Sequence, residues 1–326
     1  MTDRTEVDLS DSTVVIGAGI AGISCARVLA EAGESVVVLD RGRRAGGRMA
    51  RWTRDDRAID VGAAYFTVRD PDFATVAHDW AKRGLAHPWT DSFAVVESSG
   101  RRVETSGPVR WAAEGGLRSL VEDLDVGLDV RLAREVESVG VLPDGTPSVD
   151  GRPVRSAVLA MPDPQARDLL ADELVDAADL DEEWHPVVTV VARFPERTWR
   201  GIDGVFVHDS PLSLLVDDGR RRGDGAPVLV AHCTHGVSAG YLDRPDAVVP
   251  VAVAEMARIV PGLGEPEWVQ AKRWGTAEPR RARTTTYHLG EPNIAICGDG
   301  WSQRPRVEAA WISGRDAGTA LAARLR

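Results

Sequence analysis

The sequence contains few of the residues that build disulfide or metal-held frameworks. Only three of its 326 residues are cysteines, Cys25, Cys233 and Cys297, and none of them forms a Cys-x-x-Cys pair. Because each lies in an apolar stretch, we expect buried free thiols in a reducing compartment and no disulfide scaffold. His232 and His235 are close in sequence, but no further ligand set accompanies them, so we predict no metal site.

Lysine and long hydrophobic runs are also scarce. Lys82 and Lys272 are the only lysines, and the formal net charge is −11. This charge argues against nucleic acid and anionic membranes as partners. Glycines interrupt the first apolar stretch, and residues 1–12 are polar and acidic, so we predict neither a membrane span nor a signal peptide. We therefore expect a soluble, cytoplasmic protein.

Glycine is abundant and follows an ordered pattern. The string Val14-Val15-Ile16-Gly17-Ala18-Gly19-Ile20-Ala21-Gly22 predicts a buried strand, a tight turn and a helix. In order, its three glycines permit the turn, allow the backbone to approach a pyrophosphate, and allow the helix to pack on the strand. A second apolar strand ends at Asp40, whose carboxylate we expect to accept hydrogen bonds from an adenosine ribose. This unit predicts a bound dinucleotide.

Two further signals narrow the prediction to FAD. Residues 41–49 are unusually basic and glycine-rich for a simple connection, and Arg48 can make forked hydrogen bonds to phosphate oxygens; a solvated loop is the alternative. Near the other end, a short apolar strand leads to Gly298 and Asp299, where Asp299 is placed to accept from a ribityl hydroxyl. A helix that begins at Arg306 would direct its positive N-terminus towards a reduced flavin.

The middle of the chain predicts a second sheet, of antiparallel type. Runs rich in β-formers occupy residues 187–194, 205–207, 212–216 and 228–233. An apolar stripe at helical spacing predicts a helix over residues 246–259. We expect the charged segments 176–183 and 217–224 to be solvated surface loops.

These patterns predict two intertwined domains in an α/β protein. We assign the nucleotide-binding domain to residues 1–65, 106–164 and 285–326. We assign a discontinuous α+β substrate domain, built on the antiparallel sheet, to residues 66–105 and 165–284. A chain of 326 residues is long for one core and suits two.

The ordered motifs resemble the flavin amine oxidase superfamily. Within it, five segments are similar to renalase and its bacterial relatives: residues 46–49, 59–67, 159–165, 273–279 and 298–308. The resemblance implies a Rossmann-like FAD-binding domain of the p-hydroxybenzoate hydroxylase/amine oxidase type. It also implies noncovalent FAD, because no cysteine near Trp274 matches the one that links FAD in some members.

The motifs and the resemblance together assign the cofactor contacts. The residues that we expect to contact FAD are Gly17, Gly19, Ile20, Ala21, Gly22, Asp40, Arg41, Gly46, Gly47, Arg48, Met49, Gly62, Ala63, Ala64, Val136, Gly298, Asp299, Arg306, Val307 and Glu308. Among these, the backbone contact of Val136 with the adenine is implied by the resemblance alone. We expect the isoalloxazine ring between residues 62–64, the Trp274 region and residues 298–308.

We select candidate pocket residues because they lie near the cofactor motifs in the sequence. For each aromatic candidate, the alternative to a place in the pocket wall is packing in the protein core. They are Tyr65, Phe66, His185, His232, Trp274, Tyr287, Trp301 and Arg306. The sequence contains no convincing acid–base pair, so we assign no catalytic residue.

The resemblance to renalase implies a definite chemistry. That family oxidises isomers of NAD(P)H reduced at the 2 or 6 position, with hydride transfer to flavin N5 and reoxidation by O2 to hydrogen peroxide. Such a substrate needs no general base, because loss of hydride restores an aromatic pyridinium. A flavin amine oxidase acting on a small amine remains an alternative, although Lys272 adjoins Trp274 and does not match that family's lysine. A flavin-binding protein without turnover is a third alternative. A desaturase is a further one, but such an enzyme would need a membrane-binding surface.

Overall fold

The computed structural model describes residues 8–97, 100–281 and 283–326. Within them the strands are β1 Thr13–Ile16, β2 Val36–Asp40, β3 Arg51–Arg54, β4 Arg57–Asp60, β5 Phe66–Thr67, β6 Ala86–Val96, β7 Arg102–Ala113, β8 Asp129–Leu132, β9 Val139–Val141, β10 Pro147–Val149, β11 Arg152–Pro153, β12 Ser156–Ala160, β13 Trp184–Arg193, β14 Gly204–Val207, β15 Leu212–Asp217, β16 Val228–Cys233, β17 Trp268–Pro279, β18 His288–Gly290 and β19 Ile294–Cys297. The α-helices are α1 Ile20–Glu31, α2 Pro71–Lys82, α3 Arg118–Leu124, α4 Asp163–Leu169, α5 Asp172–Ala178, α6 Asp218–Arg222, α7 His235–Gly240, α8 Val249–Ile259 and α9 Val307–Leu325. Short 3-10 helices span Gly47–Met49 and Pro245–Val248.

The chain divides into two compact units, each formed from separate stretches of sequence. The first unit comprises Met1–Gly47, Val121–Glu183 and Pro279–Arg326, and the second comprises Arg48–Leu120 and Trp184–Glu278. These limits differ from the domains that we proposed. Residues 48–65 and 106–120 belong to the second unit, because β5 and β7 extend its sheet. Residues 165–183 belong to the first unit, where the Ala171 N–H donates to the Val139 carbonyl at 3.1 Å.

The first unit contains a six-stranded sheet in the order β18-β19-β12-β1-β2-β8. Its pairs are parallel except for β18 with β19. All four residues of β1 are buried, as expected for a central parallel strand with both faces covered. Helix α1 follows β1 directly and packs on α9. The predicted α/β nucleotide-binding architecture is therefore confirmed.

The second unit contains an eight-stranded sheet in the order β17-β13-β16-β15-β14-β6-β7-β5. The pairs β13–β16, β15–β16, β14–β15, β6–β7 and β5–β7 are antiparallel, whereas β14 and β6 run parallel. Helix α8 covers one face through Ala252, Met256 and Ile259. The opposite face contains Val191, Val230 and other apolar residues from alternate positions.

The prediction that residues 217–224 form a solvated loop was wrong. There, helix α6 contains Asp218 with no exposed surface and Arg221 with 1% exposure. The charged side chains of helix α6 pair with each other and with side chains on a distant strand. Paired charges of opposite sign can be buried, whereas unpaired charges almost never are. The prediction for residues 176–183 holds for Asp176, Asp179, Asp181 and Glu183, which are exposed, whereas Leu180 and Glu182 are buried.

Two expectations from composition can be compared with the structure. Cys25, Cys233 and Cys297 are all buried and free, as predicted. Across the described ranges, no helix has the length and apolar character needed to cross a membrane.

Candidate functional site

The first glycine motif forms a tight turn between β1 and α1. Gly17 has φ +113°, and a Cβ there would lie 2.6 Å from the Ala160 carbonyl oxygen. A Cβ at Gly22 would lie 1.9 Å from the Gly17 oxygen, so only glycine allows the helix to approach the strand this closely. At Gly19, by contrast, a Cβ would meet no atom within 4 Å. The middle glycine therefore faces open space, as a pyrophosphate-binding turn requires.

The N-terminus of α1 carries no side-chain cap. Its N-cap residue is Gly19, and the first turn contains no acidic residue. The first backbone N–H groups of a helix lack intrahelical partners, and the helix dipole adds positive potential there. The glycine turn and the 12-residue helix together form the arrangement that binds phosphate groups in dinucleotide-binding folds.

Asp40 ties the second glycine motif to the first. Its Oδ2 accepts a hydrogen bond from the Ala18 N–H and its Oδ1 accepts one from the Gly42 N–H, both at 2.6 Å. The Gly46 N–H donates to the Ala18 carbonyl at 2.8 Å. Each carboxylate oxygen has a second lone pair, so the ribose contact predicted for Asp40 stays a prediction alongside this structural role.

The third motif lies at the end of β19. Gly298 has φ +145°, and its N–H donates to the Ser313 Oγ of α9 at 2.8 Å. Asp299 is 8% exposed and Glu308 3% exposed. A Cβ at Gly314 would lie 1.9 Å from the Ala21 oxygen, so the third motif and the first share one closely packed helix pair.

The predicted contact segment, residues 62–64, lies in the second unit, and hydrogen bonds hold it and the preceding Val61 in place. The Val61 N–H donates to the Ala50 carbonyl at 3.1 Å, and the Val61 carbonyl accepts from the Trp274 Nε1 at 2.9 Å. The Ala63 N–H donates to the Arg48 carbonyl at 2.9 Å. Arg221 donates to the Ala64 carbonyl. This backbone is fixed by the side chains of Trp274 and Arg221 and by the backbone carbonyls of Arg48 and Ala50.

A buried ion network supports the start of this segment. Asp60 accepts from the Leu117 N–H at 2.8 Å and pairs with Arg222. Asp218 pairs with Arg57 and Arg221. Burial by itself would raise the pKa of Asp218, but the nearby arginines hold it below its usual range. The network keeps the Asp218 carboxylate ionised inside the protein.

His232 lies beside the same segment. Its Nε2 is closed to solvent and has no hydrogen-bond partner, while the ring also bonds to the Gly62 backbone. Burial lowers the pKa of His232 to about 4, and Arg221 adds to the effect. The Gly62 backbone opposes this shift in part. The imidazole is therefore neutral at pH 7, with one donor and one acceptor nitrogen.

Thr189 accompanies His232 on the sheet. The two residues are directly opposite each other on β13 and β16, so their side chains share a face. Thr189 is fully buried and its Oγ1 has no partner. Buried polar groups are nearly always hydrogen-bonded, so two unpartnered ones on one face of the sheet are an exception in this core. The sequence analysis identified His232 but missed Thr189, which has no motif signal.

The other predicted pocket residues occupy varied positions. Phe66 is 2% exposed and packs in a cluster with Phe73, Trp80 and Trp111, so it occupies a core position. Tyr65 makes an edge contact with Phe93 at 5.5 Å.

Three more candidates lie against other side chains. The His185 ring stacks on the His235 ring at 4.2 Å. Trp301 is 6% exposed and packs in the core beneath Arg283, whose guanidinium carbon is 4.2 Å from the ring centroid. Tyr287 is half-buried.

The remaining predicted FAD contacts differ in exposure. Arg41 and Gly47 are exposed. Arg48 donates from Nη1 to the Ala277 carbonyl at 2.9 Å and lies over the Trp184 ring. Arg306 is the extended residue before α9 begins. The buried members of the set are Ile20, Ala21, Met49, Ala64, Val136 and Val307.

The chain matches two protein families. Residues 15–80 match the NAD(P)-binding Rossmann-like domain, and residues 93–322 match the flavin containing amine oxidoreductases. A nucleotide-binding α/β fold combined with the second match defines an FAD-dependent oxidoreductase. Because this match covers more than half of the sequence, the chain belongs to the flavin containing amine oxidoreductase family.

Curated relatives align over short segments. The L-amino acid oxidase Lm29 of Lachesis muta is 52% identical over 42 residues, which are 13% of this chain and 8% of that protein. The hydroxyneurosporene desaturase of Rubrivivax gelatinosus is 34% identical over 113 residues, which are 29% of this chain and 22% of that protein. The alignments therefore span less than a quarter of either relative.

Solved structures resemble the chain over nearly its whole length. Putrescine oxidase bound to putrescine has a TM-score of 0.72 at 16% identity, covering 98% of this chain and 100% of that one. Cyclohexylamine oxidase from Brevibacterium oxydans IH-35A has a TM-score of 0.75 at 14% identity, covering 97% and 99%. At these identities the likeness shows the fold alone.

Proposed function

We propose that the protein is an FAD-dependent oxidase that takes hydride from the 2- or 6-dihydro isomers of NAD(P)H. The flavin follows from the family, and the substrate rests on the renalase-like segments and on the chemistry of the second unit. The products would be ordinary NAD(P)⁺ and hydrogen peroxide, which makes the reaction one of metabolite repair.

The first unit contains groups that fit FAD. We propose that the glycine turn and the N-terminus of α1 hold the pyrophosphate, with Asp40 at the adenosine ribose and Asp299 at the ribityl chain. The open space at Gly19 supports this assignment. Bound FAD would supply the hydride acceptor at N5 and the route of the electrons to O2. We propose that binding is noncovalent.

The neutral, unpartnered His232 is the observation that carries the substrate assignment. We propose that the neutral ring of His232, part of which is exposed, hydrogen-bonds to the carboxamide of the nicotinamide ring. Loss of hydride makes the ring a pyridinium cation. A neutral imidazole can orient such a ring without repelling the charge that develops on it, and no residue has to remove a proton.

A small amine is the second candidate substrate. The structural likeness to putrescine and cyclohexylamine oxidases favours it. The position of Lys272 argues against it, because its Nζ already lies 5.1 Å from the centroid of the Trp274 ring. An ammonium over this ring would repel a second cation at the same aromatic surface.

Product analysis in air tests the proposal. The purified, FAD-loaded protein is supplied with 6-dihydro-NAD, ordinary 4-dihydro-NAD or putrescine. We expect one NAD⁺ and one hydrogen peroxide per 6-dihydro-NAD consumed, and neither product from the other two compounds. Peroxide formation from putrescine alone would replace the proposed substrate with an amine.

A further inference from the structure

Arg110, on β7, is buried without a charged partner. Its side chain is 6% exposed, and its Nε and Nη1 are closed to solvent with no hydrogen-bond acceptor. Among the residues that the structure describes, no carboxylate lies within ion-pair distance of it. By contrast, the equally buried Arg221 and Arg222 pair with Asp218 and Asp60. An unpaired buried charge is costly, so Arg110 is the exception among the buried arginines of this unit.

Aromatic rings surround the guanidinium. Its carbon lies 3.9 Å from the ring centroid of Phe93, 5.3 Å from that of Tyr65 and 5.8 Å from that of Phe206. Trp89 packs edge-on against Phe93 at 5.4 Å, and its Nε1 is a second buried donor without an acceptor. Ring faces stabilise a cation but leave in-plane N–H groups unbonded. We call these five residues the Arg110 box; it holds a positive charge among aromatic rings, and such a charge favours an anionic ligand.

The box has an opening beside one nitrogen. The Nη2 of Arg110 is not among the closed-off atoms. The missing Cβ of Gly107 would lie 3.6 Å from Nη2. The lack of a side chain at Gly107 therefore leaves room next to the one guanidinium nitrogen that an incoming group can reach.

The Arg110 box and His232 lie on the same face of the eight-stranded sheet. Arg110 contacts Phe206, which is directly opposite Leu214 on β15. Leu214 is in turn opposite His232 on β16, and directly opposite residues share a face. Neighbouring strands are about 4.8 Å apart, so two steps separate Phe206 from His232 by about 10 Å.

We propose that Arg110 binds an oxyanion of the substrate through its Nη2. In the reaction proposed above, on which this assignment of the ligand rests, the oxyanion is the diphosphate of the dihydronicotinamide dinucleotide. A ribose separates the nicotinamide ring from the diphosphate in such a molecule, so its two ends can lie over different strands of the same sheet face. The open Nη2 of Arg110 donates to a phosphate oxygen, and the guanidinium charge attracts the diphosphate.

Kinetics with a truncated substrate test the role of Arg110 in turnover. The Arg110→Met variant keeps the side chain's length and removes its charge. Its KM for 6-dihydro-NAD should rise about tenfold or more, with kcat and FAD content unchanged. Its KM for dihydronicotinamide riboside, which has no phosphate, should equal that of the wild type. The exposed Arg102→Met, on the same strand, is the matched control and should behave as wild type. Equal KM changes for both substrates would overturn the proposal.

A binding measurement separates this proposal from the proposed function. Inorganic pyrophosphate should raise the Tm of the FAD-loaded wild type and of Arg102→Met, but not that of Arg110→Met. Arg110→Lys keeps the positive charge but lacks the planar guanidinium, so its Tm shift should be smaller than that of the wild type. This variant replaces Arg110→Met in the test if the Met variant does not fold. A shift that is equal in wild type and Arg110 variants, or absent from wild type, would overturn the anion site. An Arg110-dependent shift in a protein that oxidises no dihydro isomer would retain the anion site and reject the proposed reaction.

Discussion

At the scale of single residues, burial determines the chemistry of the candidate site. His232 is the clearest case, because desolvation, with the Arg221 charge, holds its pKa at about 4. The Gly62 backbone opposes this shift only in part. A histidine that titrates well below pH 6 acts as a hydrogen-bonding group at neutral pH and does not switch charge there.

This shift predicts a pH dependence of stability. The pKa of His232 is about 4 when folded and near 6.5 when unfolded, so the unfolded state takes up the proton first as the pH falls. The contribution of His232 to stability is therefore fully present above pH 6.5 and is lost progressively down to pH 4. The free energy of unfolding of His232→Gln, measured by urea denaturation, should decline less over this range than that of the wild type.

Another histidine provides the control for this experiment. His208 is exposed, so His208→Gln should follow the wild-type decline between pH 6.5 and 4. If His232→Gln declines as steeply as the wild type, the environment assigned to His232 is wrong.

The sequence identified some site residues and missed others for a physical reason. His232 and Trp274 could be selected because they adjoin segments with recognisable motifs. Thr189 and Arg110 could not, because their significance comes from what lies opposite them on neighbouring strands. Phe66 and Trp301 were selected as pocket candidates by the same proximity rule, yet both are at most 6% exposed and pack among core residues.

At the scale of elements, the close approach of α1 and α9 holds the nucleotide-binding motifs together. A Cβ at Gly314 would lie 1.9 Å from the Ala21 oxygen and 2.3 Å from the Ser24 Oγ. Both atoms belong to α1, whose N-terminus we assign to the pyrophosphate. Packing of the two helices therefore couples directly to the geometry of the cofactor site.

The Gly314→Ala variant tests this coupling. The added methyl must push the helices apart, which should lower the free energy of unfolding by about 1–3 kcal/mol and reduce the FAD that remains bound after gel filtration. Gly236→Ala in α7 is the matched control, because its Cβ would meet no atom within 4 Å and alanine is the better helix former. Unchanged stability and FAD content in Gly314→Ala would contradict the close packing.

Elements with a strong local pattern were predictable, and elements held by distant partners were not. The run at residues 228–233 coincides with β16, and the predicted helix from Ile20 begins where α1 begins. Helix α6 was mistaken for a solvated loop, because its burial depends on Arg57 and Asp60, more than 150 residues earlier in the chain. Local charge density does not reveal whether the charges are paired.

At the scale of the whole molecule, the order of the three glycine signals predicted the nucleotide-binding fold correctly. The discontinuous, two-part organisation was also visible in the sequence. The limits of the compact units were harder to predict, because β5 and β7 join the second sheet through hydrogen bonds to residues far away in the chain. Family membership gives the flavin chemistry, and the unpartnered polar groups of the second unit supply the argument for the substrate.

Anaerobic reduction of the FAD-loaded protein tests the central claim most directly. The protein is mixed separately with 2- and 6-dihydro-NAD(P), with 4-dihydro-NAD(P) and with primary amines and polyamines, and the flavin absorbance is followed. Our account predicts rapid bleaching by the 2- or 6-dihydro isomers alone. Bleaching by an amine, or no bleaching by any member of the panel while FAD stays bound, would contradict it.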